Sequence, residues 1–172
     1  LIFCEPFPRA ANRTSLGELS TILTYPRSVC LGAISSYGTR VASATYTYDM
    51  FLVPVHNLAL HRHAQHRHTY TSIQLNQMSK GEQLACHNDK NNSGFNSAIS
   101  FGDVEGGRIW VQGYGTEPPP STCTLEPSHR ELRGGYLNNL NKWVTFNPQR
   151  FHCIEPITRG KRFSIVLFLL IQ

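Results

Sequence analysis

A chain of 172 residues, 40% hydrophobic and 16% charged, is long enough to bury a core and lacks the charge density and apolar poverty of a disordered polymer. Its formal net charge of +5 and sequence pI near 9.1 suit an anionic partner without specifying one. Five cysteines, odd in number and without a Cys-x-x-Cys pair, exclude a disulfide framework and a zinc ribbon and point to a reducing, intracellular compartment.

Residues 1–45 mix Pro, Arg, Ser and Thr with short apolar pieces. Ser15, with Glu18 in capping-box register, predicts a short helix from Ser15 to Thr24, and the remainder reads as strands and loops. The β-branched and aromatic run Thr45–Leu52 predicts a strand. His61–His68 sets four histidines among arginines and reads as a basic, titratable surface able to meet phosphate, in preference to a second metal site. Tyr70–Asn76 alternates and predicts a core strand leading towards His87. Gly106-Gly107 predicts relief of crowding or a bent strand, whereas Gly113-Tyr114-Gly115 and Gly134-Gly135 predict turns. Trp110 and Trp143 are expected in the core.

The Gly-, Pro- and Thr-rich stretch Gln112–Leu132, with Pro118-Pro119-Pro120, predicts a loop insertion that either covers a binding mouth or is plain surface. Lys142–Phe146 returns to the core, and Asn147-Pro148 turns the chain towards His152. The apolar run Phe163–Ile171 is about half a membrane span and predicts a buried strand. No internal repeat, secretory segment or membrane anchor is visible. The sequence opens on Leu1 without a methionine, which reads as a fragment or trimmed chain whose targeting information lies outside it.

The chemistry concentrates in His87-Asn88-Asp89, followed 63 residues after the aspartate by His152 and ten residues later by Arg162-Phe163-Ser164. In an extended segment, side chains two apart share a face, so His87 and Asp89 can chelate one ion while Asn88 points away. Two imidazoles and one carboxylate form a facial triad that leaves the other face of a ferrous ion open. Arg162 and Ser164 would share a strand face, the guanidinium making a paired contact to a carboxylate and the hydroxyl adding a hydrogen bond. A Cys₂His₂ zinc site from Cys86, His87, His152 and Cys153 is the competing ligand set, disfavoured because adjacent strand residues face opposite ways. There is no phosphate-binding Gly-x-x-x-x-Gly-Lys loop, no Gly-x-Ser-x-Gly elbow and no dinucleotide fingerprint.

Leu75–Asp89 is similar to the AlkB-like pattern Asn-x-Tyr-x-x-Gly-x-x-Leu-x-x-His-x-Asp. With Ile99–Gly102, Gly106–Trp110 and Phe151–Ser164, the chain resembles the Fe(II)/2-oxoglutarate-dependent dioxygenase superfamily over roughly residues 70–170. His87-Asn-Asp-Lys-Asn-Asn92 also resembles the metal strand of the TET/JBP-type oxidases of 5-methylpyrimidines within that superfamily. The resemblance implies a mainly β fold, a double-stranded β-helix or jelly-roll core with a few short flanking helices. It further implies His87, Asp89 and His152 as catalytic iron ligands, with Arg162 and Ser164 at the far carboxylate of 2-oxoglutarate and Asn76 near that cosubstrate. Met78 stands where the AlkB-like pattern has a tyrosine, and Phe168 where it has a second arginine six residues after the first.

The expectation is a single domain over residues 1–172, with 1–60 as an N-terminal flank and 70–172 as the catalytic core. It is read as an enzyme using Fe(II), 2-oxoglutarate and O₂, with ascorbate as reductant, to hydroxylate a C–H bond without a membrane partner. A methylated nucleic-acid base, flipped into the pocket and stacked on Tyr114 or Tyr136, is the leading substrate reading. A protein side chain or small molecule is the alternative substrate, and a jelly-roll binding module without turnover is the alternative from another class.

Overall fold

The computed structural model describes residues 27–35, 39–42, 45, 52–62, 70–120 and 132–170. Eleven strands and a helix are ordered β1 (Arg27–Ser35), β2 (Thr39–Val41), α1 (Leu52–Arg62), β3 (Ser72–Ser79), β4 (Leu84–His87), β5 (Asn92–Phe101), β6 (Val104–Gly106), β7 (Ile109–Glu117), β8 (Gly134–Leu137), β9 (Val144–Phe146), β10 (His152–Ile154) and β11 (Ile157–Leu170). One seven-stranded sheet runs β2-β1-β3-β11-β5-β9, with β6 also paired to β11. A four-stranded sheet runs β4-β10-β7-β8. All strand pairs named here are antiparallel. The expected jelly roll is the observed architecture.

Strand β11 organises the larger sheet because its residues alternate between two environments. Ile165 and Leu167 join Val29, Leu31, Ile73 and Leu75 in an outer cluster, against which Val55 of α1 packs. Val166, on the other face, joins Met78, Ala98, Ile109, Val111, Phe146, Ile154 and Ile157 between the two sheets. A two-residue period thus gives one strand two apolar partners. On that inner face, however, Arg162 and Ser164 take positions where apolar residues would otherwise complete the core, opposite Met78 and Asn76 of β3.

Several local expectations change. Leu52 begins a helix instead of ending a strand, and residues 46–51 of that expected strand lie outside the described residues. Pro54 fits its first turn, where a missing N–H leaves no bond unmade, and Val55 and Leu58 are half-buried while Val53, His56 and Asn57 are exposed. A hydrogen bond between His56 Nδ1 and the Tyr70 hydroxyl ties this helix to the start of β3. His61 and Arg62 end that helix, whereas His63–His68 and the Ser15 helix lie outside the described residues.

The expected turns at Gly113–Gly115 and Gly134-Gly135 fall within strands β7 and β8 instead, Gly134 and Gly135 opposite Gln112 and Val111, and Gly113–Gly115 where the register shifts between Gln112 and Glu117. Their missing side chains serve close approach. A Cβ on Gly134 would fall 2.7 Å from the Trp110 ring, and one on Gly135 would fall 2.5 Å from the Tyr114 carbonyl oxygen. Accordingly β7 continues to Glu117, through the first part of the expected loop, and residues 121–131 lie outside the described set. No helix among the described residues is long and apolar enough to cross a membrane.

Candidate metal centre

The short strands β4 and β10 place two imidazoles side by side. His152 is in register with His87, and their ring centroids are 4.3 Å apart. Asp89 follows two residues later, its backbone N–H donating to the Pro148 carbonyl at 2.8 Å. The turn that precedes the second histidine therefore also anchors the aspartate. Nε2 of His87 lies 3.9 Å from Asp89 Oδ1, and Nε2 of His152 lies 3.8 Å from Oδ2. All three ligand atoms fall within 4.8 Å of one another, the one such group of three or more among the described residues. These separations are too long for hydrogen bonds, yet one ion with bonds of about 2 Å can span them.

Both rings arrive with their tautomer set. His87 Nδ1 lies 2.8 Å from the Ala85 carbonyl, and His152 Nδ1 lies 2.9 Å from the Arg150 carbonyl. A carbonyl oxygen only accepts, so each Nδ1 carries the hydrogen and each Nε2 keeps its lone pair for a metal. Asn92 Nδ2 donates to Asp89 Oδ2 at 3.4 Å and to Asn96 Oδ1 at 3.3 Å, orienting the carboxylate from behind. His152 is buried against Phe146, whereas His87 and Asp89 are partly exposed, so the centre opens on their side. Cys86 and Cys153 do not join this cluster, which removes the Cys₂His₂ arrangement.

A second constellation lies in the floor of the larger sheet. Arg162 is 2% exposed, and its hydrogen bonds go only to neutral acceptors: Nη1 to Ser164 Oγ at 3.1 Å and Met78 Sδ at 3.9 Å, and Nη2 to Asn139 Oδ1 at 3.3 Å. Its Nε has no partner, and no Asp or Glu pairs with it among the described residues. Burial pushes this guanidinium down to about 10, which leaves it charged at neutral pH. Asn76 reaches the group through Ser164, its Nδ2 lying 3.4 Å from the hydroxyl, while Gln74 Nε2 donates to Asn76 Oδ1 at 2.9 Å.

Gly107 is what lets the arginine lie flat there. A Cβ at that position, where φ is +75°, would come within 2.6 Å of Ile157 Cδ1 and 2.8 Å of Arg162 Cδ. The glycine pair expected to relieve crowding does so at Arg162.

The residues singled out from sequence thus fall into two groups, the triad at an open end and Arg162, Ser164 and Asn76 in the floor. Asn139 and Ser100 were missed. Ser100 Oγ donates to Asn139 Oδ1 at 3.2 Å, beside Arg162, and Ser100 faces Ser164 across the β5–β11 pair. Strand register and the Asn139 backbone bonds to Ser100 bring the two together, which no local pattern around Asn139 signals. Of the two tyrosines considered for stacking, Tyr114 sits near the open end, its hydroxyl accepting from the Asn147 N–H at 3.2 Å. Tyr136 does not: it is paired with Trp110, which is itself paired with Cys153, the neighbour of His152 that faces the other way, and the Arg108 guanidinium lies 4.3 Å from its ring centroid.

No protein-family model matches the sequence, and no curated protein matches it. Among solved structures, NgTET1 in complex with 5mC DNA is similar with a TM-score of 0.53 and 13% identity, over 83% of this chain and 60% of that one. A 2OG-Fe(II) oxygenase family oxidoreductase from Burkholderia pseudomallei follows at 0.48 and 15% identity, over 84% of this chain and 64% of that one. A prolyl-4-hydroxylase from Pseudomonas putida follows at 0.43 and 10%, over 88% and 76%. The chain spans less than two thirds of the first two of these structures. At these identities the likeness speaks for fold. The chain has a double-stranded β-helix fold like that of NgTET1, with a His-Asp-His ligand set at its open end.

Proposed function

We propose that this chain is an Fe(II)- and 2-oxoglutarate-dependent dioxygenase that hydroxylates a C–H bond. The observation that carries the reading is Arg162: a buried cation without a carboxylate partner among the described residues, in the same barrel as three preset metal donors. An unpaired interior charge is costly, and a bound carboxylate relieves the cost. Two nitrogens and a carboxylate are also a donor set suited to ferrous iron with open positions. Both groups therefore fit the residues present.

In this reading His87, Asp89 and His152 hold the ion, and Asn92 keeps Asp89 turned towards it. Arg162 and Ser164 take the far carboxylate of 2-oxoglutarate, with Asn76 steadying the serine. Met78 supplies apolar volume and a weak sulfur acceptor where the AlkB-like pattern has a hydroxyl. Arg162 is the only buried Arg or Lys among the described residues, so one cation carries the anchoring that the AlkB-like pattern divides between two. Bound together, iron, 2-oxoglutarate and O₂ supply the oxidising chemistry that converts C–H to C–OH with succinate and CO₂ as co-products, ascorbate keeping the metal ferrous.

The substrate class we favour is a methylated nucleic-acid base. Three features support it: the net charge of +5, exposed Lys90 and Arg150 beside the open end, and the likeness to a protein solved with 5mC DNA. A base in a duplex would have to be flipped to reach the centre, and Tyr114 stands where it could stack.

The test is anaerobic addition of Fe(II) and 2-oxoglutarate. We expect a metal-to-ligand charge-transfer band in the wild type that is lost in His87→Ala and Arg162→Ala. A folded wild-type protein without the band would instead favour a binding module that lacks turnover.

A further inference from the structure

We propose that Asn139 is a cosubstrate-binding residue, donating from Nδ2 to the far carboxylate while its Oδ1 holds Arg162 in place. This inference rests on the cosubstrate reading above. Asn139 lies between β8 and β9, where its backbone carbonyl accepts from the Ser100 N–H at 2.8 Å and the Asn141 N–H donates to the Ser100 carbonyl at 2.8 Å. The peptide is thus clamped to β5, and the side chain is directed inward with 1% exposure.

The orientation of its amide is fixed by chemistry. A guanidinium cannot accept, so the amide atom 3.3 Å from Arg162 Nη2 must be the oxygen. Ser100 Oγ donates to that same oxygen, which saturates it. The amide nitrogen is therefore the free end, and Nδ2 is buried without a hydrogen-bond partner. Arg162 Nε, in the neighbouring side chain, is likewise buried and unpartnered. Two orphaned donors within one network are rare in a folded interior, and each lacks an acceptor with lone pairs to spare.

A carboxylate offers about four lone-pair sites and a negative charge, so one ligand group answers both the unpaired donors and the uncompensated cation. Space adjoins Asn139, which with Ser100 and with Gly107, the glycine packed against Arg162, lines a cavity of about 190 Å³. Arg108, the one Arg or Lys among the cavity's lining residues, is already held by Glu155 at 2.8 Å, so the cation left for an incoming anion is Arg162, which packs against the lining residue Gly107.

The informative substitution is Asn139→Asp. It keeps the shape, replaces the donor by an acceptor, and puts a carboxylate beside Arg162. The protein then supplies its own counter-ion and repels the ligand's. Binding should be measured by calorimetry on the Mn(II)-loaded protein for 2-oxoglutarate and for pyruvate, which keeps the chelating end and lacks the far carboxylate.

We expect Asn139→Asp to weaken 2-oxoglutarate by at least about tenfold, the loss of one hydrogen bond to a charged group, with pyruvate unchanged. Asn139→Asp keeps the acceptor that Arg162 and Ser100 use, so it should melt no lower than the wild type, and the loss of 2-oxoglutarate with pyruvate retained is then the readout that a merely structural role would not give. Asn139→Leu, which removes the donor without adding charge, should weaken 2-oxoglutarate in the same sense. Equal loss of both ligands, or unchanged 2-oxoglutarate binding while Arg162→Gln abolishes it, overturns the role of Asn139 and leaves the cosubstrate reading standing. If Arg162→Gln also leaves 2-oxoglutarate binding intact, the cosubstrate reading itself fails and Asn139 falls with it.

Discussion

Arg162 is held by a serine, an asparagine and a methionine, three neutral partners around a full charge. Folding lowers its pKa to about 10, so the unfolded chain binds that proton more tightly. The penalty is complete below pH 10 and fades as pH rises from there towards the ordinary arginine value. At neutral pH the unliganded protein bears all of it. Arg162→Met should therefore stabilise the unliganded protein by about 1–4 kcal/mol, because an apolar side chain of similar length fills the site without desolvating a charge. Thermal unfolding would show this as a melting temperature higher by several degrees, while 2-oxoglutarate no longer protects the variant. A stabilised variant that cannot bind ligand is what a residue kept for function produces. A variant that melts lower would mean that Arg162 is chiefly a structural hydrogen-bonding group.

The strand pair β4–β10 is slight for the task it has. Two residue pairs register across it, His152 with His87 and Ile154 with Leu84, and a bulge intervenes. One of those two pairs is itself the pair of proposed ligands, so a bound metal ion would clip the strands together. Loading with Mn(II) should slow amide exchange in β4 and the Asn88–Asp89 segment more than in the long β3–β11 pair, and a chelator should reverse the effect. Exchange that is unchanged on loading would mean that the pair is rigid without the ion. At this scale the sequence was legible where periodicity decided the outcome. The alternation of Tyr70–Asn76 and the apolar run from Phe163 both became strands of the larger sheet. It failed where a residue type has two uses. Glycines that signal turns served close strand approach at Gly134 and Gly135, and Leu52, read as the end of a strand, begins a helix with Pro54 in its first turn. His-x-Asp was readable because its two ligands are neighbours on one strand and beyond it. Asn139 was not, because its role depends on a long-range register that no local pattern encodes.

On the scale of the whole molecule, the larger sheet separates two jobs. Its outer face packs an apolar cluster with Val55 of the helix, and its inner face carries the polar floor, so stability and ligand binding draw on opposite sides of the same strands. The candidate metal ligands then lie at one open end, where surface charge can act on a large partner. Lys90 follows Asp89, Arg150 lies two residues before His152, and Arg133 offers its carbonyl to the Gly113 N–H at 2.8 Å beside the Arg150 side chain. All three are exposed. If each meets one phosphate of a DNA duplex, log affinity should fall with log salt at a slope of about −2.7, or about fortyfold between 50 and 200 mM. Replacing any one of the three by Ala should reduce the slope by about 0.9 and weaken binding to every sequence alike, without altering 2-oxoglutarate affinity. A flat salt response would place the target elsewhere, on a peptide side chain or small molecule. On the proposed function the same metal centre would serve either, because the ligand triad would fix where oxidation occurs and the charged rim would decide which partner is brought to it.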